Sequence, residues 1–131
     1  MRYDEFLARV RDRGEYADQD EAAQTSRAVL EVLAERITAP EARDLAAQLP
    51  APLGGTLTAA SADRAASYGV EEFCLRVGER TPAHAHSPQW DVNAVLTSVA
   101  DTVPAGELNQ LIGRLPAGYA VFFGRAAPTG R

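Results

Sequence analysis

Residues 28–51 read AVLEVLAERITAPEARDLAAQLPA, and residues 94–117 read AVLTSVADTVPAGELNQLIGRLPA. Over residues 28–57, ten of thirty positions match the residue that lies 66 positions later. A second match, with five identities in ten, joins residues 4–13 to residues 71–80. Alanine-rich helices resemble each other in general. That resemblance does not explain why Glu-Phe, Ala-Val-Leu and Leu-Pro-Ala blocks occur twice in the same order. The pattern predicts a duplicated unit.

Apolar side chains at helical spacing predict three helices in each unit. In the first unit they are expected at about residues 3–13, 21–37 and 39–49. Thr38 and Glu41 form a capping box, which makes a tight corner between the second and third helices. Pro50 disfavours continuation of the third helix. The segment from Pro52 to Gly55 is predicted to be a turn.

The second unit repeats this order, with helices expected at about residues 70–80, 88–103 and 105–115. Ser87 is the predicted N-cap of its middle helix, and Pro88 takes the first helical position, where its missing N–H does no harm. Pro104 stands at the second corner in place of Thr38. The third helix of this unit is therefore expected to be the weaker of the two.

A unit of three amphipathic helices buries its apolar faces poorly on its own, so the two units are expected to pack on each other. The predicted fold class is all-α, with two tandem three-helix repeats packed as one helical domain about a pseudo-twofold axis. The single domain 1–131 divides into repeat one (about 3–58), a linker (about 59–69), repeat two (about 70–124) and a disordered tail (125–131). The alanines of the linker are equally compatible with a short helical turn.

Composition excludes several classes of function. The chain of 131 residues has a formal net charge of −5, which argues against nucleic acid as a partner. A single cysteine excludes an intramolecular disulfide and a thiolate zinc cage. No apolar run reaches the roughly 18 residues of a membrane span, and the acidic N-terminal sequence lacks an apolar signal region. We therefore expect a cytoplasmic protein that neither contacts a membrane nor carries a cofactor.

The repeated Asp/Glu-Glu-Phe, Ala-Val-Leu and Leu-Pro-Ala blocks resemble the bacterial helical family filed as domain of unknown function 2267. The resemblance covers about residues 3–124. These motifs mark packing positions, so the resemblance implies the fold and a bacterial origin. It implies no established reaction, cofactor or catalytic residue.

Candidate residues for chemistry are few. His84 and His86 form the one imidazole pair, and Glu79 or Asp91 would be needed to complete a metal site. Solvent-exposed loop histidines are the commoner case, so no metal ligand is assigned. Cys74 lies beside the stripe of Phe73, which favours a buried thiol over a nucleophile. The sequence contains no phosphate-binding glycine loop and no nucleophile elbow, so no catalytic residue is assigned.

Charged residues that recur in both units suggest a structural role. The paired acids Asp4-Glu5 and Glu71-Glu72 open helices, where negative charge suits the helix dipole. Two arginines and two glutamates also recur, namely Arg9, Arg76, Glu41 and Glu107. We hypothesise symmetric Arg–Glu contacts among these four side chains across the pseudo-twofold axis.

The distinctive residues of the chain serve packing, which favours a non-enzymatic protein-interaction or regulatory module. The expected partner is another protein or a second copy of the chain. Four aromatic residues are expected in the core, with an exposed patch for a partner as the alternative: Trp90, Tyr119, Phe122 and Phe123. The alternative function is small-molecule or metal binding, either in the groove between the repeats or at His84 and His86.

Overall fold

The computed structural model describes residues 1–61, 65–81, 86–116 and 118–125. These residues form eight α-helices and no strand, which confirms the all-α prediction. The helices are α1 (Tyr3–Gly14), α2 (Gln19–Arg36), α3 (Ala39–Ala46), α4 (Ala51–Ala60), α5 (Val70–Arg80), α6 (Pro88–Thr102), α7 (Ala105–Gly113) and α8 (Tyr119–Phe122). Within this described part of the chain, no helix is both long and apolar enough to cross a membrane.

Side-chain caps begin three helices, two of them at the predicted residues Thr38 and Ser87. The Asp18 carboxylate accepts from the Glu21 N–H at 2.9 Å and begins α2. At the first corner the Glu41 N–H donates to Thr38 Oγ1 at 3.3 Å, and the Thr38 N–H donates to Glu41 Oε1 at 2.8 Å. Ser87 accepts from the Trp90 N–H at 3.2 Å and begins α6. These contacts satisfy helix N–H groups that have no partner inside their helix.

The predicted turn at residues 52–55 is wrong, because α4 occupies it. Pro52 lies in the first turn of α4, where its missing N–H costs nothing. Gly54 allows α4 to lie close to α3, because a Cβ at this position would be 2.8 Å from the Ala46 carbonyl oxygen of α3. Leu53 and Leu57 are buried by this packing. With α8 in the second half, each half has four helices rather than three.

The first helix of each half packs on the second helix of both halves. α1 contacts α2 and α6, α5 contacts α6 and α2, and α2 also contacts α6 directly. One continuous core results, and its largest fully buried side chains include Phe6, Phe73, Tyr119 and Phe123. Fully burying each such side chain contributes ~1.5–3 kcal/mol. α2 and α6 are therefore the centre of the molecule.

The aromatic residues of the C-terminal segment belong mostly to this core. Tyr119 and Phe123 are buried, and Phe122 is half-buried against the core. Trp90 differs, since it is 39% exposed. Cys74 is buried, and burial raises the pKa of its thiol, which favours the neutral form over a reactive thiolate.

The described residues of the linker, 59–61 and 65–69, combine both predictions made for it. Ala59 and Ala60 extend α4, whereas residues 65–69 have no regular structure. The Ala66 N–H donates to the Glu35 carbonyl at 2.7 Å and ties this segment to α2. The predicted disordered tail lies almost wholly outside the described residues.

Candidate binding groove

The two corners of the chain place α3 and α7 on either side of a groove. We call this feature the α3–α7 groove; its cavity has a volume of about 330 Å³. Its lining comes from α3, from α7 and from the residues beside them. A pocket between the halves was expected from the sequence, but its position at the third helices was not.

The floor of the α3–α7 groove is apolar. Leu45 of α3, Leu111 of α7 and Val103 line it, and all three are buried. They leave an apolar surface at the base of the groove that can cover methylene or ring carbons of a ligand.

Two polar contacts cross the α3–α7 groove and join the halves. Arg114 Nη1 lies 2.6 Å from Glu41 Oε2, and the Gln48 amide donates to Glu107 Oε1 at 3.4 Å. Burial raises the pKa of Glu41, but the hydrogen bonds from the Thr38 N–H and from Arg114 outweigh it, so the pKa is lowered overall. Glu41 is therefore an anion at neutral pH with both oxygens engaged.

The electrostatic balance of the groove is negative. Among the described residues, its lining carries three carboxylates, those of Glu41, Asp44 and Glu107, and one guanidinium, that of Arg114. Asp44 and Glu107 are both exposed to solvent. The groove therefore offers negative charge above an apolar floor, which suits a cationic group with an apolar stem.

The hypothesis that Arg9 and Arg76 contact Glu41 and Glu107 is wrong in its partners. Arg9 binds Asp101 at 3.0 Å, and Arg76 binds Glu35 at 2.9 Å. Because α1 packs on α6 and α5 packs on α2, each arginine reaches the end of a second helix and not a third helix.

A second arginine completes each of these ion-pair clusters. Arg13 lies 2.6 Å from Asp101, and Arg80 lies 2.6 Å from Glu35. Burial raises the pKa of each carboxyl, but the hydrogen bonds from the arginines outweigh it, and the pKa of Glu35 and of Asp101 is lowered. The sequence held a signal for this, since Glu35 and Asp101 are acids 66 positions apart.

The candidate metal site is tested only in part, because His84 lies outside the described residues. The His86 ring stacks on Trp90, with ring centroids 4.9 Å apart, and lies edge-on to Tyr16 at 5.7 Å. Asp91 is buried and accepts a 2.5 Å hydrogen bond from the Tyr16 hydroxyl. No group of three His, Cys, Asp or Glu side chains able to hold a metal occurs within the described ranges.

The sequence of the chain matches a known family over most of its length. The model of a family described as an uncharacterized conserved protein (DUF2267) matches residues 3–122. The chain belongs to this family. The resemblance inferred from the repeated blocks is thereby confirmed. No curated protein matches the chain. Membership in DUF2267 assigns no reaction to the chain.

Proposed function

We propose that this DUF2267 chain is a non-enzymatic, cytoplasmic bacterial interaction module that binds a basic segment of a protein partner in the α3–α7 groove. The observation that carries the proposal is the acidic rim of the groove above the apolar floor of Leu45, Val103 and Leu111. A Lys or Arg side chain matches both features, because its methylene stem is apolar and its head is charged. Asp44 and Glu107 are the carboxylates that would meet this head.

The charge of the chain favours a different protein over a second copy as the partner. The chain carries a net charge of −5, and the groove is itself acidic, so a second copy would bring like charge to this surface. A basic segment gains complementary charge, which speeds association and excludes acidic competitors. Two helices beside an apolar floor also suit recognition of a segment by a few anchoring side chains.

We also propose that the halves are tandem repeats related by a pseudo-twofold axis, with a unit of four helices. Three observations support this relation: the reciprocal packing of α1 on α6 and of α5 on α2, the matching Glu35 and Asp101 clusters, and the pairing of groove residues. Glu41 and Glu107 are 66 positions apart, as are Leu45 and Leu111. An axis relating these pairs passes through the α3–α7 groove, so both halves contribute residues to its lining.

A peptide titration tests the binding proposal. Fluorescence anisotropy of a labelled Lys/Arg-rich peptide is expected to give saturable binding that weakens with added salt. The Asp44→Asn/Glu107→Gln variant is expected to bind at least about tenfold more weakly, since two rim charges are lost. Glu71→Gln/Glu79→Gln is the matched control, because it removes two exposed acids of α5 and is expected to bind as the wild type does.

Two outcomes would contradict the interaction proposal. One is the absence of saturable binding for basic peptides of several sequences. The other is an equal loss in the groove variant and in the α5 control, which would indicate attraction by net charge alone.

A second candidate is a small organic cation in the same groove. The observation that favours it is the cavity volume of about 330 Å³, which lies at the lower end of the range for small-molecule sites. Thermal unfolding with agmatine or spermidine separates the candidates. A rise in Tm with these amines that is lost in Asp44→Asn/Glu107→Gln, together with no peptide binding, would favour the small molecule.

A further inference from the structure

Arg36, the last residue of α2, is buried, and no carboxylate among the described residues pairs with it. Only 6% of the residue is exposed. Its hydrogen bond within the described part of the chain runs from Nε to the Tyr119 hydroxyl oxygen at 3.2 Å, and no ion pair to another described residue accompanies it. The neighbouring Glu35 already holds Arg76 and Arg80. An arginine so deeply buried is normally paired with an acid, so its charge calls for another partner.

Two tyrosine rings fix the guanidinium of Arg36. Its Cζ lies 5.4 Å from the centre of the Tyr68 ring and 5.6 Å from the centre of the Tyr119 ring. The Tyr119 hydroxyl donates in turn to the Tyr68 carbonyl at 3.2 Å, which holds the two rings together. A guanidinium has five N–H donors in a rigid planar fork, and among the described residues this one donates only to Tyr119. The remaining donors are oriented in advance.

The guanidinium lines a second cavity, which we call the Arg36 cavity, with a volume of about 550 Å³. Ile37, Leu115 and the segment 65–67 give it a partly apolar wall. Arg114 and Glu41 line it as well, and Glu41 already binds the Thr38 N–H and Arg114. Its described lining is thus net positive, unlike the acidic α3–α7 groove and the chain as a whole.

This arrangement is absent from the corresponding positions of the other half. Thr102 lies 66 positions after Arg36, Leu53 lies 66 positions before Tyr119, and Met1 lies 67 positions before Tyr68. The Thr102 hydroxyl donates to the Ser98 carbonyl at 3.0 Å, within its own helix. The shared fold therefore does not require a buried cation at this point.

We propose that the Arg36 cavity binds a small organic oxyanion, either a carboxylate or a phosphate monoester, whose oxygens accept from the free edge of the Arg36 guanidinium. The planar fork matches two oxygens of either group. The apolar wall covers the organic part of the ligand. Arg114 at the rim offsets the charge of Glu41, so Arg36 provides the net positive charge of the cavity. Arg36 lines this cavity and not the α3–α7 groove, whereas Glu41 and Arg114 line both, so the two sites adjoin but differ in the side chain that would bind the ligand.

The test follows the side-chain Nε–Hε resonance of Arg36 by NMR during titration. The probes are benzoate, phenyl phosphate and inorganic phosphate, each compared with sodium chloride at equal ionic strength. We expect a saturable shift at Arg36. Binding to the Arg36→Lys variant, which keeps the charge but loses the fork, is followed by its backbone amide resonances and is expected to be at least about tenfold weaker. Arg27→Lys, an exposed arginine on the same helix, is expected to leave binding unchanged.

The probes separate the two ligand sources. Saturation by benzoate alone identifies a carboxylate site, and saturation by phenyl phosphate alone identifies a phosphate site. Saturation by both supports the shared chemistry. A response to inorganic phosphate alone overturns the proposal, since it indicates an adventitious ion only.

Two further results overturn the proposal. One is a wild-type Arg36 resonance that shifts no more than those of exposed arginines, which decides the matter even if Arg36→Lys fails to fold. The other is equal affinity in a folded Arg36→Lys variant. Asp44→Asn/Glu107→Gln is expected to keep oxyanion binding, so failure of the α3–α7 groove proposal remains distinguishable from failure of this one.

Discussion

The Glu35 and Asp101 clusters are built alike and differ in what surrounds them. In each, one acid near the end of a second helix binds two arginines from the first helix of the other half. At Glu35 the Tyr68 hydroxyl also donates to the carboxylate at 2.9 Å, and the Tyr68 ring lies 4.3 Å from Arg76 Cζ. The ion pairs therefore belong to the fold shared by both halves, whereas Arg36 and its two tyrosines are not repeated at the corresponding positions of the chain.

The largest expected loss of stability comes from substituting buried leucines at matching positions of the two halves. Leu45→Asp or Leu111→Asp buries an unpaired carboxylate at matching positions of α3 and α7, so each change is expected to cost at least about 3 kcal/mol and to unfold the protein. Circular dichroism during heating measures this. Unchanged melting of both variants would refute the core assignment, and loss in only one would show that the halves do not carry equal weight.

A smaller effect separates the two clusters. Glu35→Gln is expected to lower the free energy of unfolding by about 1–2 kcal/mol, and Asp101→Asn by about 1 kcal/mol, because Glu35 loses the Tyr68 bond in addition to two ion pairs. Urea unfolding of both variants gives the two values. Equal losses, or a larger loss in Asp101→Asn, would mean that Tyr68 adds nothing to the Glu35 cluster.

The smallest expected change of stability comes from substituting glycines of α4, the fourth helix of the first half, which differs from α8, the fourth helix of the second half. α4 has ten residues and α8 has four, and Gly54 of α4 corresponds to Ala120 of α8, 66 positions later. Gly54→Ala is expected to destabilise, since the new Cβ meets the Ala46 backbone. Gly55→Ala meets nothing within 4 Å and is expected to stabilise by about 0.5–1 kcal/mol. Thermal unfolding of the pair checks the signs, and a stabilising Gly54→Ala would show that α3 and α4 pack less closely.

The parts of the fold that depend on local pattern were predictable from the sequence. Apolar spacing located six helices, and Thr38 and Ser87 cap two of them as expected. The fourth helix was missed because Gly54 and Gly55 are typical of turns. Its glycine is explained only by the contact with Ala46, which is a property of the tertiary structure.

Partners that come from distant parts of the chain were not predictable in the same way. The recurrence of Arg9 and Arg76 indicated ion pairs between the halves, but the choice of Asp101 and Glu35 depends on which helices cross. No local sequence pattern indicated that Arg36 would be buried, because Tyr119, whose hydroxyl accepts its hydrogen bond, lies 83 positions away in the chain. A groove between the halves was expected, whereas its acidic rim follows from the placement of α3 and α7.

A ¹H–¹⁵N NMR titration of the wild-type protein with the Lys/Arg-rich peptide tests most directly whether the α3–α7 groove binds a basic segment. Binding in the groove is expected to shift backbone resonances that cluster on α3 and α7, around Asp44 and Glu107, and that saturate together. Saturable shifts centred elsewhere, for example around His86 and Trp90, would contradict the assignment of the α3–α7 groove as the binding site.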